Sequence, residues 1–303
     1  MVSLDGGLHG AHLRANVLDQ IGPAALRRAL RDRTLATAYT GVVVDPRRQQ
    51  DLLTRCAAVV LAFGPQCALG GPTAAELHGC GAAATARTHV LMPYGSHQRS
   101  RPGLVVQRSA GYQHDVVTID QLPVAALDRV VAEMLCRSAP RDALAVCDQS
   151  LALQPEGARA PWRARVGERI GARSDPRGTR RAQELLAIAT GSAESPAESW
   201  LRLILIDQGF PWPEANWPLY SPWGDLVCRL DLAWPHLRIA VEYQGYAVHV
   251  GRDHQDSARL LDVERRGWIV VTAQAADLRD HHDLSIRLSL AFEQRGHAWR
   301  TPA

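Results

Sequence analysis

Two short stretches decide the fold of this chain: Arg229-Leu230-Asp231-Leu232-Ala233-Trp234-Pro235 and Ala240-Val241-Glu242-Tyr243-Gln244-Gly245. Their apolar content and period-two patterning predict strands over 226–233 and 238–244. Alternation would set Cys228, Leu230 and Leu232 on one face, with Arg229 and Asp231 on the other. In the second strand Ile239, Val241 and Tyr243 share a face, opposite Glu242 and Gln244. If the two strands pair as neighbours, Asp231 and Glu242 converge at one end of the sheet. Two such carboxylates, with no lysine near, repel unless a cation sits between them. Hard oxygen ligands completed by water are how a Mg²⁺ site is built.

Glu198, on a helix predicted over 195–206, is a third candidate acid. Ser195-x-x-Glu198 with Pro196 is also a capping box with proline at the first helical position, and the two roles can coexist. Beyond the strands, 256–266 reads as a helix, where Arg259 either reaches a substrate phosphate or lies on a solvated face.

Upstream, 174–179 and 191–196 read as loops around a helix over 180–189. At the front, Gly22-Pro23 opens a basic helix over 24–31. The alternating stretch 35–46 then reads as a hairpin turning at Thr40-Gly41. A helix followed by a two-stranded ribbon is what a winged helix-turn-helix needs, with Arg27, Arg28, Arg31 and Arg33 as phosphate contacts. A plain helix-plus-hairpin with a solvated basic face is the other reading. Helices over 50–69, 73–77, 123–135 and 141–151 and strands over 89–92 and 104–108 fill the middle.

All 34 basic residues are arginine; lysine is absent. Schiff-base, P-loop and kinase-type lysine chemistries are thereby excluded. Residues 1–190 carry 23 Arg against 16 acids, whereas 191–303 carry 11 against 15. A basic front suits nucleic acid, and an acidic rear suits a divalent cation. The longest apolar runs, such as Ala57–Phe63, are too short for a membrane span, and Met1–His12 lacks the pattern of a signal peptide. Six irregularly spaced cysteines without a CxxC pair read as reduced core residues, so a cytoplasmic location is expected.

The ordered string of helix Glu198, Asp231-Leu232-Ala233-Trp234-Pro235, Val241-Glu242-Tyr243-Gln244-Gly245, His249 and Gly267-Trp268 resembles the PD-(D/E)XK restriction-endonuclease superfamily. More narrowly, it resembles actinobacterial endonuclease-like proteins of unknown function that are similar to very-short-patch-repair nucleases. The likeness covers about residues 190–290. The front, through 24–46 and Thr73–Gly79, resembles the winged-helix antitoxin of abortive-infection type IV systems. The resemblance implies Mg²⁺, with Mn²⁺ as a second candidate, bound by Asp231, Glu242 and Glu198 with help from the Tyr243 carbonyl. It puts Gln244 where the superfamily usually has lysine; Gln can orient a water but carries no charge. It makes His249 a proton donor or phosphate contact, against a plain loop histidine, with His254 as a second candidate.

The expected architecture is α/β: a winged-helix-like region (1–50), an antitoxin-like middle (51–172), a linker with a connecting helix (173–191), and a restriction-endonuclease-like mixed sheet flanked by helices (192–303). The expected activity is Mg²⁺-dependent DNA endonuclease. The competing expectation is a non-catalytic DNA-binding regulator or antitoxin-like protein that retains the nuclease fold. DNA, a toxin or other protein, and a second copy of the chain are the expected partners, and no membrane.

Overall fold

A computed structural model describes residues 4–245 and 253–297, with the backbone alone for 253–258. The fold is mixed α/β. Contacts divide the described residues into two units, 4–136 with 165–175, and 137–164 with 176–245 and 253–297. Residues 4–50 and 51–136 fall in one unit.

The first unit opens with β1 (Ala11–Leu13) and α1 (Arg14–Arg31). Gly22 breaks α1 with φ 76° and ψ 165°, a conformation that suits glycine, and Pro23 restarts the helix where its missing N–H costs nothing. β2 (Ala36–Tyr39) and β3 (Val42–Val44) form the expected hairpin, and β1 adds to it in the order β1-β3-β2. Val17, Leu26, Ala29, Leu35 and Val43 make the core of this part.

Next come α2 (Leu52–Phe63), β4 (Ala68–Leu69), α3 (Gly71–Leu77), β5 (Thr88–Met92), β6 (Leu104–Arg108), β7 (Val116–Ile119), β8 (Leu122–Ala125) and α4 (Leu127–Arg137). Their strands form one sheet in the order β6-β5-β4-β8-β7. Two expected helices are shorter than predicted. Gly64, at φ 77°, ends α2 and frees Ala68–Leu69 to pair as a strand. Pro123 and Val124 pair with β7, so the helix expected from 123 begins only at Leu127. Helix α6 (Arg159–Gly171) contributes its residues from 165 onward to this unit, where Arg169 binds Asp115 at 2.7 Å and Asp128 at 3.3 Å.

The second unit contains α5 (Pro140–Ala152), α7 (Thr179–Ile188), α8 (Pro196–Asp207), β9 (Glu214–Tyr220), β10 (Leu226–Trp234), β11 (Ile239–Gln244), α9 (Asp253–Arg265), β12 (Ile269–Gln274) and α10 (His282–Gln294). The sheet runs β12-β11-β10-β9. β10 is antiparallel to both β9 and β11, and β11 is parallel to β12. β9 is an edge strand with Pro218 in its middle, paired with Arg229. One side of the sheet packs Leu232, Trp234, Ile239 and Val241 with Leu201, Leu205 and Leu288. The other packs Leu230, Ala233 and Ala240 with Val263 and Trp268.

All six cysteines are buried. Among the described residues, no helix is long and apolar enough to cross a membrane.

Candidate functional site

The strict alternation expected for β10 fails at Asp231. Cys228 and Leu230 lie in one core cluster, and Leu232 lies in the other. The cause is on the neighbouring strand: Asn216, between the partners of Leu230 and Leu232, has φ 54°. Asparagine tolerates this left-handed conformation better than most residues. Its side chain is tied down, donating to the Ser192 carbonyl at 3.1 Å and to Glu194 Oε1 at 2.7 Å.

The same irregularity opens the β10–β11 ladder. Regular pairing runs from Trp234↔Ile239 to Leu232↔Val241 and stops. At the next position side chains replace the backbone ladder. The Asp231 N–H donates to Glu242 Oε1 at 3.1 Å, and the Tyr243 N–H donates to Asp231 Oδ2 at 2.7 Å. The two acids therefore converge as expected, each satisfying a backbone donor freed by the parting strands.

Burial makes this arrangement electrostatically costly. Asp231 is pushed up to about 7, first by desolvation and then by the charge of Glu242. Glu242 is also raised by desolvation, against the opposing pull of Arg259. Arg259 donates from Nη2 to Glu242 Oε2 at 2.5 Å and from Nη1 to the Arg229 carbonyl at 3.3 Å. The Glu242 side chain is only 3% exposed, and that of Arg259 is 35% exposed. One guanidinium thus faces the buried Glu242 and the partly buried Asp231.

Glu198 completes the capping box. Ser195 Oγ donates to its Oε1 at 2.7 Å, the Glu194 N–H donates to its Oε2 at 2.8 Å, and its own N–H donates to Ser195 Oγ at 3.3 Å. Burial raises its proton affinity, and the charges of Asp231 and Glu194 add to the rise. Glu198 therefore feels the acidic pair while both of its oxygens are engaged locally. Gln244 is exposed at the end of β11. His249 lies outside the described residues, as does the side chain of His254. Among the described residues, no group of three or more His, Cys, Asp or Glu could hold a metal ion.

In the first unit Arg27, Arg28, Arg31 and Arg33 are exposed. Arg28 and Arg31 both reach Asp32, each at 3.3 Å. Arg33, at φ 54°, lines a cleft of about 610 Å³ with Arg47 and Arg48.

Sequence reasoning missed Asn216 and Glu194, and it missed what fixes α8. Asp148 on α5 accepts from the N–H groups of Thr190 (2.7 Å) and Gly191 (3.2 Å), from Ser199 Oγ (2.6 Å) and from Arg202 Nη2 (2.5 Å). Arg202 Nη1 also donates to Thr190 Oγ1 at 2.7 Å. This network, buried within the second unit, ties the helix bearing Glu198 to α5. Asp148 and Arg202 are 54 residues apart, so no local spacing could have revealed it.

No family model matches the chain. Two relatives from strains of Mycobacterium tuberculosis, the uncharacterized proteins MT2308 and Rv2248, are each 35% identical over 235 residues, covering 77% of this chain and 83% of theirs. The chain belongs to the family of these mycobacterial proteins. The crystal structure of the RV2827C protein from Mycobacterium tuberculosis is similar with a TM-score of 0.42 and 14% identity, over 70% of this chain and 84% of that one.

Proposed function

We propose that the second unit is a Mg²⁺-dependent endodeoxyribonuclease of the restriction-endonuclease-like kind, and that the first unit holds DNA through the exposed arginines of a winged helix. The observation that carries this reading is the convergence of the partly buried Asp231 and the buried Glu242 where β10 and β11 part. Buried like charges are tolerated at sites that use them.

The residues fit a hard divalent cation. Asp231 and Glu242 offer two carboxylates, the number by which Mg²⁺ is commonly held together with substrate phosphate. These two would hold the ion, with Glu198 behind them. When bound, such an ion supplies Lewis-acid activation of the phosphodiester and of the attacking water. Arg259, half-exposed beside Glu242, would turn to the phosphate and offset the charge that develops there. Gln244 would orient the water by hydrogen bonding, without acting as a base. On the DNA side, the strand, broken helix and hairpin of the first unit have the order of a winged helix, and Arg27, Arg28, Arg31 and Arg33 would neutralise backbone phosphates.

The test is nicking of supercoiled DNA by the full chain with Mg²⁺ or Mn²⁺. Wild type should nick, and Glu242→Ala should lose activity by about a hundredfold or more. Equal inertness of both across DNA substrates would end the enzyme reading.

One observation favours a second reading, a non-catalytic DNA-binding regulator. Arg259 already neutralises Glu242, and Gln244 adds no positive charge in place of the usual lysine. Under that reading DNA binds without metal, and Mn²⁺ titration gives no binding that Asp231→Ala removes. A toxin or other protein partner and a homodimer belong to this proposal as well; size measurement of the purified protein, alone and with DNA, tests the dimer.

A further inference from the structure

The first unit contains a cavity of about 260 Å³ that neither reading uses. It opens between the β2–β3 hairpin, α2 and the segments around Thr88 and Arg101–Gly103. Tyr39, Gln49, Gln50, Thr54, Arg55 and Arg101 supply its polar lining, and no Asp or Glu is among the lining residues. Arg55 gives its two terminal nitrogens to the carbonyls of Ala86 (2.7 Å) and Thr85 (3.0 Å), leaving a buried Nε without a partner. Arg101 lies over the Tyr39 ring, 4.4 Å from its centroid.

The larger cleft beside Arg33 makes the contrast plain. There Asp45 lies in the wall and binds Arg47 at 2.6 Å, so one of the three lining arginines has a counter-charge within the cleft. The smaller cavity has two guanidinium groups and none. Arg55 is partly withdrawn from water, with a buried Nε that has no partner, and a bound anion offsets the cost of such a cation. Planar guanidinium groups match phosphate oxygens in geometry and charge. A phosphate monoester carries about two negative charges near neutrality, which equals the two cations present. The volume falls just below the roughly 300–1,000 Å³ of drug-sized ligand sites, so the ligand is small.

We propose that this cavity binds a small phosphate-bearing dianion, inorganic phosphate or a phosphate monoester up to the size of a mononucleotide. Tyr39 and Val44 of the hairpin line the cavity together with Arg55 of α2 and Arg101, so an occupant would touch the hairpin, α2 and the segment around Arg101. The assignment is independent of whether the second unit cleaves DNA.

The experiment is calorimetric titration and thermal denaturation of the full chain with inorganic phosphate, AMP and succinate, at ionic strength held constant with sodium chloride. Phosphate or AMP should bind saturably at millimolar concentration or below and raise the melting temperature. Arg101→Gln should weaken that binding by about tenfold or more. Arg101 is the informative position because it is exposed, whereas Arg55 also holds two backbone carbonyls. Unchanged affinity in Arg101→Gln, a response equal to that of chloride, or binding of succinate without binding of phosphate or AMP would each overturn the assignment.

Discussion

Two carboxylate–guanidinium pairs in the second unit have the same contact distance and opposite character. Asp148–Arg202 and Glu242–Arg259 both close at 2.5 Å. Around Asp148 four donors serve its two oxygens, and one positive charge meets one negative charge, while the buried Arg202 Nε has no partner. Around Glu242 one guanidinium faces two acids, one buried and one partly buried, with Glu198 and Glu194 close enough to raise the proton affinity of Asp231 or its neighbours further. A saturated pair holds a structure together. An unbalanced one retains a demand for positive charge that a proton or a cation can meet.

The contrast is broken most forcibly at the saturated pair. Arg202→Met strands the Asp148 carboxylate in the core and should cost about 3–5 kcal/mol of stability in urea denaturation. A loss under about 1 kcal/mol would remove Asp148–Arg202 as the anchor of α8. Next in size, the unbalanced site should respond to Mn²⁺. Binding at a hundredfold excess over Kd adds about 2.7 kcal/mol, visible as a rise in melting temperature that Asp231→Asn abolishes.

The third prediction concerns pH without metal. Asp231 binds its proton near pH 7 in the folded state, against 3.8 as its ordinary value. The folded state therefore holds the extra proton between those values, and stability should fall as pH rises from about 4 to 7. Glu242 and Glu198 shift in the same direction and reinforce the trend. Asp231→Asn should flatten the profile and gain on the order of 1 kcal/mol on wild type at pH 8. A wild-type profile rising through that window would contradict the burial of these acids. The smallest effect is local: Ser195→Ala removes the cap of α8 and should cost about 1 kcal/mol by denaturation, with Mn²⁺ affinity nearly unchanged.

Much of this site was legible because its parts are short and patterned. The β-branched and apolar runs of β10 and β11 announced strands, and Ser195-Pro196-x-Glu198 announced a helix start with its cap. The pairing of Asp231 with Glu242 followed from neighbouring strands. The local reversal at Asp231 was not legible, because it originates in the backbone of Asn216, on a strand whose sequence, Glu214–Tyr220, lacks clean alternation. Nor was the grip of Arg259 on Glu242, which depends on how α9 crosses the sheet. In the first unit, the helix start at Gly22-Pro23 and the turn at Thr40-Gly41 could be read from two residues each, whereas the part of α1 before Gly22 was not expected. The five-stranded sheet could not, since β4 has only two residues and β8 begins in what reads as a helix.

The edge strand β9 has a consequence for assembly. Proline has no N–H to give, and Pro218 lies within this edge strand, paired with Arg229. An incoming strand from another molecule would find the row of donors interrupted there, a common guard against edge-to-edge aggregation. Copies of this chain are therefore discouraged from joining by extending the sheet through β9, whereas β12, the other edge strand, carries no proline.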